Sequence, residues 1–391
     1  MKIVIAAVAS SAYLSGVSRH AANMARCLLG RAEVSAVHLV VAPWQYDSML
    51  GALPHTDPRL HLHRVAIGKG VVSRNLWYYS DLPILAAQLN ADIVHLAYPV
   101  PIRRGSFDCP VVVTVHDLYP YDIPSNFGFP KVFFNRLILQ WCLRAVDTIA
   151  CVSESTSLRL GIYSSRHVGG KAVTIYNYVE ADRHIAERRP LPAWDGSPFF
   201  LCVAQHRRNK NVVFAMRVFE RLLRSGDIDS ATRLVIIGIE GPETPRICRF
   251  IRDRGLARQI VLLHGIDDSE LHWCYGHCEL LLAPSIIEGF GLPIVEAMLH
   301  HCRVVCSDIP SFHEIGGSYC HYSALTEEAF VDATRKALKS VKSRTAEVDR
   351  FSGARVAMAY LQLYTRLLNS RPAMAGDSHY APATVAERGR S

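Results

Sequence analysis

Short apolar runs alternate along this chain with longer stretches whose apolar residues return every three to four positions. The alternation occurs twice, on either side of one Pro-rich interruption. Runs of this kind followed by helices are the pattern of βαβ units, whose strands lie parallel and are buried on both faces. In the first series the strand candidates are 2–8, 34–41, 60–65, 93–96, 111–115, 148–152 and 172–175, with helices predicted near 17–29, 76–89, 131–145 and 154–163. The segment 185–198 then gathers three prolines, a glycine and several charges, the composition of a linker. A second series has strand candidates at 199–204, 234–238, 260–264, 280–283 and 304–307, and helices near 212–223, 245–254, 269–275, 293–300, 327–341 and 354–368. The fold class predicted is α/β, with two doubly wound parallel-sheet domains at 1–184 and 199–368, a linker at 185–198 and a disordered tail at 369–391. Such domains bind ligands at the carboxyl ends of their strands, so two of them facing each other predict a cleft.

A chain of 391 residues, half of them hydrophobic and 20% charged, can bury two cores of ordinary size. The net charge of +8 suits an anionic substrate or an acidic membrane surface, but no run of five basic residues suggests a nucleic-acid arm, and no nucleic-acid partner is expected. The 11 cysteines are odd in number, scattered and without a CxxC pair, which points to a reducing, cytoplasmic compartment. His272, Cys274, His277 and Cys278 match no closed zinc spacing and read as part of a helix. The apolar run after Lys2 is better explained as a first buried strand than as a signal peptide. No apolar run approaches the ~18 residues of a membrane span.

The most informative stretch is 284–298, Pro-Ser-Ile-Ile-Glu-Gly-Phe-Gly-Leu-Pro-Ile-Val-Glu-Ala-Met. It follows the apolar run 280–283, and Pro293 has the φ suited to a helix's first turn. Free N–H groups around Gly291 and Leu292, with the positive end of the helix dipole behind them, offer a place for a phosphate or diphosphate. Glu288 and Glu296 would repel that anion, so they more plausibly grip hydroxyls of an attached sugar or ribose.

This stretch resembles the donor-site signature of the retaining GT-B glycosyltransferases of family 4, also called group 1. The neighbouring residues agree: Leu263-His264-Gly265, Ser269-Glu270-Leu271 and Cys278-Glu279-Leu280 before it, then 304–310 and Glu314-Ile315-Gly316-Gly317 after it. In the first half, 114–118 (Thr-Val-His-Asp-Leu), 151–156 (Cys-Val-Ser-Glu-Ser-Thr) and 175–177 (Ile-Tyr-Asn) are also family-like. The resemblance implies GT-B architecture, two Rossmann-like domains facing across a cleft. It further implies a nucleotide diphosphate sugar donor held by the second domain, and a glycan or lipid-linked acceptor held by the first.

It also implies roles for residues. Glu296 would bind the ribose hydroxyls and Glu288 those of the sugar, while Gly289, Phe290, Gly291 and Leu292 would bring backbone to the diphosphate. Lys210, after the basic loop 205–209, would meet the charge that builds on the leaving diphosphate. The family's usual Gly-Arg is Ala204-Gln205 here, so Arg207 or Arg208 is expected to replace the missing arginine. His116 would lie beside the transferred sugar, and Ser15-Gly16 would let backbone approach the donor phosphates or the acceptor. Lys210, Glu288 and His116 are the catalytic candidates. The family needs no metal, no acidic pair sits at a convincing strand end, and no cofactor is expected beyond the donor substrate.

The helix 131–145 carries Phe133, Phe134, Leu137, Ile138 and Trp141 at helical spacing. Packing on a sheet is the expected role of such a stripe, and peripheral contact with the inner membrane surface is the alternative. The reaction expected is retaining transfer of a hexose, with mannose first, in polysaccharide biosynthesis. The rival readings are a sugar-nucleotide epimerase on the same architecture and a non-catalytic GT-B-like binding subunit.

Overall fold

The structure, a computed structural model, describes residues 1–12, 16–54, 57–179, 187–190, 194–341 and 347–370. The first sheet holds β1 (Lys2–Ala6), β2 (Ala36–Val41), β3 (Leu60–Arg64), β4 (Ile93–Leu96), β5 (Val111–Val115), β6 (Thr148–Cys151) and β7 (Ala172–Thr174), in the order β3-β2-β1-β4-β5-β6-β7. The second holds β8 (Phe199–Val203), β9 (Arg233–Ile237), β10 (Ile260–Leu263), β11 (Leu280–Ala283), β12 (Arg303–Ser307) and β13 (His321–Ser323), in the order β10-β9-β8-β11-β12-β13. Neighbouring strands run parallel in both. Helices cover both faces, which is why every residue of β2 and β4 is buried and why those strands read as continuous apolar runs. The strand order reverses between β1 and β4 and again between β8 and β11, and the crevices where α/β folds bind ligands open there.

Four features differ from expectation. β13 is three residues long, His-Tyr-Ser, too short and too polar to stand out as a strand. The helix predicted at 76–89 begins at Val71 and comes in three pieces, Val71–Leu76, a π-helical turn Trp77–Asp81, and Leu82–Gln88. Pro83 has no N–H for the regular ladder at this junction. The apolar stripe of the helix Lys131–Ala145 does not pack on the sheet. Leu139, Cys142 and Leu143 are its buried side, and Phe133, Phe134, Leu137 and Trp141 face solvent.

The sequence order places the last helix, Gly353–Asn369, with the second domain at 199–368. Its Val356, Tyr360 and Tyr364 instead join Ile3, Ile5 and Leu28 in a core of the first domain. The chain therefore crosses between the domains twice, and the crossings touch. Val179 N–H donates to the Phe351 carbonyl at 3.0 Å, and Gly353 lies so close to Tyr178 that a Cβ there would stand 3.0 Å from its ring. Of the predicted linker 185–198, residues 187–190 and 194–198 are described. The rest, and the tail beyond Ser370, lie outside the described residues.

Candidate active site

A cleft of about 480 Å³ opens between the two sheets at their carboxyl ends. From the first domain it is lined by Gly16, Arg19, His116, Asp117, Tyr119 and Asn177. From the second come Arg207, Lys210, Glu288, Gly289, Gly291, Leu292 and Glu296, among others. Most of the predicted site residues thus meet in one cavity. Ser15 lies outside the described residues, and Gly16 begins the helix Gly16–Leu29 at the cleft. Arg207 lines the cavity with Lys210, and Arg208 is not among its lining residues.

The turn after β11 folds as its glycines dictate. Gly291 holds φ 114°, a conformation that side chains strain to adopt, and a Cβ on it would meet the Phe312 ring at 3.0 Å. The helix Leu292–Leu299 starts immediately after, with Pro293 in its first turn. Gly289 is constrained differently. A Cβ there would stand 1.7 Å from the carbonyl oxygen of His116, because the two domains meet backbone to backbone at this point. The Gly289 carbonyl accepts from Ser153 Oγ at 2.5 Å and Thr156 Oγ1 at 2.9 Å, both across the domain boundary. Phe290 turns its ring into the second domain's core, 5.5 Å from Phe351, so what it offers the cleft is backbone and not side chain.

Glu288 is buried and saturated. Its Oε1 accepts from Lys210 Nζ at 2.5 Å and Ser285 Oγ at 2.7 Å, and its Oε2 from Tyr119 Oη at 3.0 Å. A buried carboxylate and ammonium compensate each other's lost hydration only when paired and hydrogen-bonded in this way. Glu296 accepts from Tyr275 Oη at 2.7 Å, and burial pushes its carboxyl pKa up while that hydrogen bond and the Arg19 guanidinium pull it down. Arg19 also spans the domains to Asp268 at 2.6 Å.

His116 donates through Nε2 to the Ala97 carbonyl at 2.9 Å. Burial holds its pKa down at about 4, so the ring is neutral near pH 7, with Nδ1 as its acceptor. Behind it, buried His95 bridges Tyr364 Oη at 2.6 Å and Thr114 Oγ1 at 2.7 Å, tying the returning last helix to the strand that carries His116. Asp117 was not singled out by its residue type. Burial raises its pKa to about 6, and its Oδ1 accepts the Tyr119 N–H at 3.1 Å. Glu314 stands in a family-like stretch but has no role from the sequence. Its two oxygens accept the N–H groups of Glu154 and Ser155 at 2.7 and 2.9 Å, capping the start of the helix Glu154–Tyr163 from the other domain. Both stand in family-like stretches of the sequence, but the N–H groups that Glu314 holds lie about 160 residues away along the chain.

Two family profiles divide the chain between them. Glycosyltransferase Family 4 matches residues 14–183 and Glycosyl transferases group 1 matches residues 185–348. The chain is 26% identical over 279 residues to the O-antigen chain mannosyltransferase RfbU of Salmonella typhimurium, covering 70% of this chain and 72% of that one. It is 25% identical over 327 residues to the serotype-specific mannosyltransferase WbdA of Escherichia coli, covering 73% of this chain and only 38% of that protein. The solved structure of sucrose-phosphate synthase from Thermosynechococcus elongatus superposes with a TM-score of 0.75 at 17% identity, covering 95% of this chain and 100% of that one, and so shares the fold.

Proposed function

The chain belongs to the group 1 glycosyl transferases, family 4, and on that premise we propose that it transfers a hexose, mannose first, from a nucleotide diphosphate sugar to a glycan or lipid-linked glycan acceptor in polysaccharide biosynthesis. The architecture is GT-B. The observation that carries the proposal is the meeting of Lys210, Arg207, the helix start at Gly291–Leu292 and the acids Glu288 and Glu296 in one cleft. The cations and the helix start suit a diphosphate, and the acids suit the hydroxyls at either end of it. Two mannosyltransferases among the relatives support mannose as the sugar.

The reaction proposed is retaining and independent of metal. The acceptor hydroxyl oxygen bonds to the sugar's anomeric carbon on the face from which the diphosphate departs. The bond from that carbon to the phosphate oxygen breaks with its electron pair on the phosphate, and a phosphate oxygen takes the acceptor's proton. Lys210 and Arg207 stabilise the departing charge, and no side-chain nucleophile is used. The Lys210–Glu288 pair is the resting state of that machinery, with the lysine released to the diphosphate when the donor enters. The setting proposed is cytoplasmic, peripheral to the inner membrane surface.

GDP-mannose and a panel of glycan and lipid-linked acceptors test this reading. The product should keep the anomeric configuration of the donor, and Glu288→Ala and Lys210→Ala should each abolish most transfer in folded protein. Both variants retaining near wild-type rates would overturn the site assignment. Conversion of the nucleotide sugar without acceptor would identify an epimerase instead. Arg207 in the cleft with Lys210 weighs against a non-catalytic subunit, the reading that the absence of an arginine at Gln205 would favour.

A further inference from the structure

The helix Lys131–Ala145 turns a core-like face to solvent. Phe134 is 56% exposed and Trp141 49%, with Phe133 and Leu137 similar, and Phe129 just before the helix is 88% exposed. Tyr79 meets the Trp141 ring edge-on at 5.9 Å, which joins this face to the helical segment 71–88, where Val72, Leu76 and Ile84 are also exposed. Soluble monomers seldom leave contiguous apolar surface of this extent without a use for it. The same exposed face begins with Lys131 and ends with Arg144, neither in an ion pair among the described residues, and the helix carries no acid. The acid on the adjoining segment is Asp81.

The position is as informative as the chemistry. The loop that leaves β5 supplies His116, Asp117 and Tyr119 to the cleft, bonds Asn126 to Asn209 of the other domain at 3.2 Å, and then runs through Phe129 into this helix. On the neighbouring segment, Arg74 bonds Ser10 at 2.9 Å, just past the end of β1. The apolar face therefore begins at the rim of the cleft, on the first domain.

We propose that this face docks on an anionic lipid bilayer, its aromatic side chains in the interfacial layer and Lys131 and Arg144 on headgroup phosphates. Docking in this way would bring the mouth of the cleft to an acceptor anchored in the same bilayer. That consequence rests on the lipid-linked acceptor reading above, whereas the docking itself does not. Apolar side chains between cations, with long stems that lay their charges outward, are the arrangement interfacial helices use. A second copy of the chain is the poorer occupant, because a two-fold pairing of this helix would set Lys131 and Arg144 against their own counterparts with no acid on the helix to match them.

Co-sedimentation with vesicles tests the proposal, using phosphatidylcholine alone and phosphatidylcholine mixed with phosphatidylglycerol, with neither donor nor acceptor present. The wild type should pellet with the mixed vesicles and be released by salt. Phe134→Ser with Trp141→Ser should weaken binding by about tenfold or more. Lys131→Glu with Arg144→Glu should remove the preference for the anionic lipid. All four residues face solvent, so circular dichroism should be unchanged. Wild type that stays in the supernatant, or variants that bind as it does, would overturn the proposal. So would a wild-type dimer that the Phe134/Trp141 variant turns monomeric. Because no sugar chemistry enters this assay, its failure leaves the transferase reading standing, and failure of transfer leaves the docking standing.

Discussion

Gly289→Ala isolates the meeting of the two domains from the chemistry. The new Cβ would stand 1.7 Å from the His116 carbonyl oxygen, whereas a carbon and a carbonyl oxygen rest at about 3.3 Å. The backbones must therefore part by about 1.5 Å. Parting also stretches the two hydrogen bonds by which Ser153 and Thr156 hold the Gly289 carbonyl. The donor turn and His116 sit on opposite sides of that seam, so their spacing is what changes. A misplacement of about 1 Å at a reacting centre costs on the order of a hundredfold in rate, or about 3 kcal/mol of transition-state stabilisation. Neither core contains the clash, since opening the cleft relieves it. The melting temperature should accordingly hold while kcat/KM falls about a hundredfold, and small-angle scattering should report a larger radius of gyration. Gly105→Ala, where a Cβ meets nothing within 4 Å, is the control. Gly289→Ala with kcat/KM within about threefold of wild type would refute the argument that this contact sets the catalytic geometry.

Arg207→Ala should weaken donor use by about tenfold or more while Arg208→Ala stays near wild type, read as kcat/KM for the donor; equal losses would return the phosphate role to either arginine. Glu314→Gln keeps one acceptor but removes the charge that caps the helix Glu154–Tyr163 from across the cleft. It should lower kcat/KM by about tenfold and expand the donor-free enzyme in solution scattering, and a compact variant would deny the clasp. Asp117 supplies a pH test. Its folded pKa is raised to about 6 by burial, so the native state holds this proton more tightly than the unfolded chain does. The stabilisation is complete below the unfolded value of about 4 and lost as pH rises through 6. Asp117→Asn should therefore gain melting temperature over wild type between about pH 4 and pH 6 and level off above that, and a constant difference would sink the assignment.

The two sheets were legible because parallel strands buried on both faces announce themselves as apolar runs, as in β2 and β5, and because the site residues follow strand ends. Glu288, Glu296, Lys210 and His116 follow strand ends, and the resemblance of their stretches to family 4 is what gave them roles in one cleft. Contacts between chain segments were not legible. Nothing local says that Glu314 caps a helix about 160 residues away, that Gly289 touches His116, or that Arg19 pairs with Asp268. Helical periodicity identified the stripe on the helix Lys131–Ala145 but not its direction, since an apolar face spaced for packing and one spaced for an interface have the same period. The last helix misled in a similar way. Its own sequence carries a packing face, and only Tyr364 against His95 reveals which domain that face belongs to.

The double crossing of the chain has a mechanical consequence. A domain joined by one segment can swing from anywhere along it, but here a second segment returns beside the first and bonds to it, Val179 to Phe351, so an opening of the cleft pivots where the two meet. Opening is then a swing of one domain against the other about that meeting point, like a book on its spine. Lys210 and Glu288 travel together on one cover while His116 and Asp117 stay on the other.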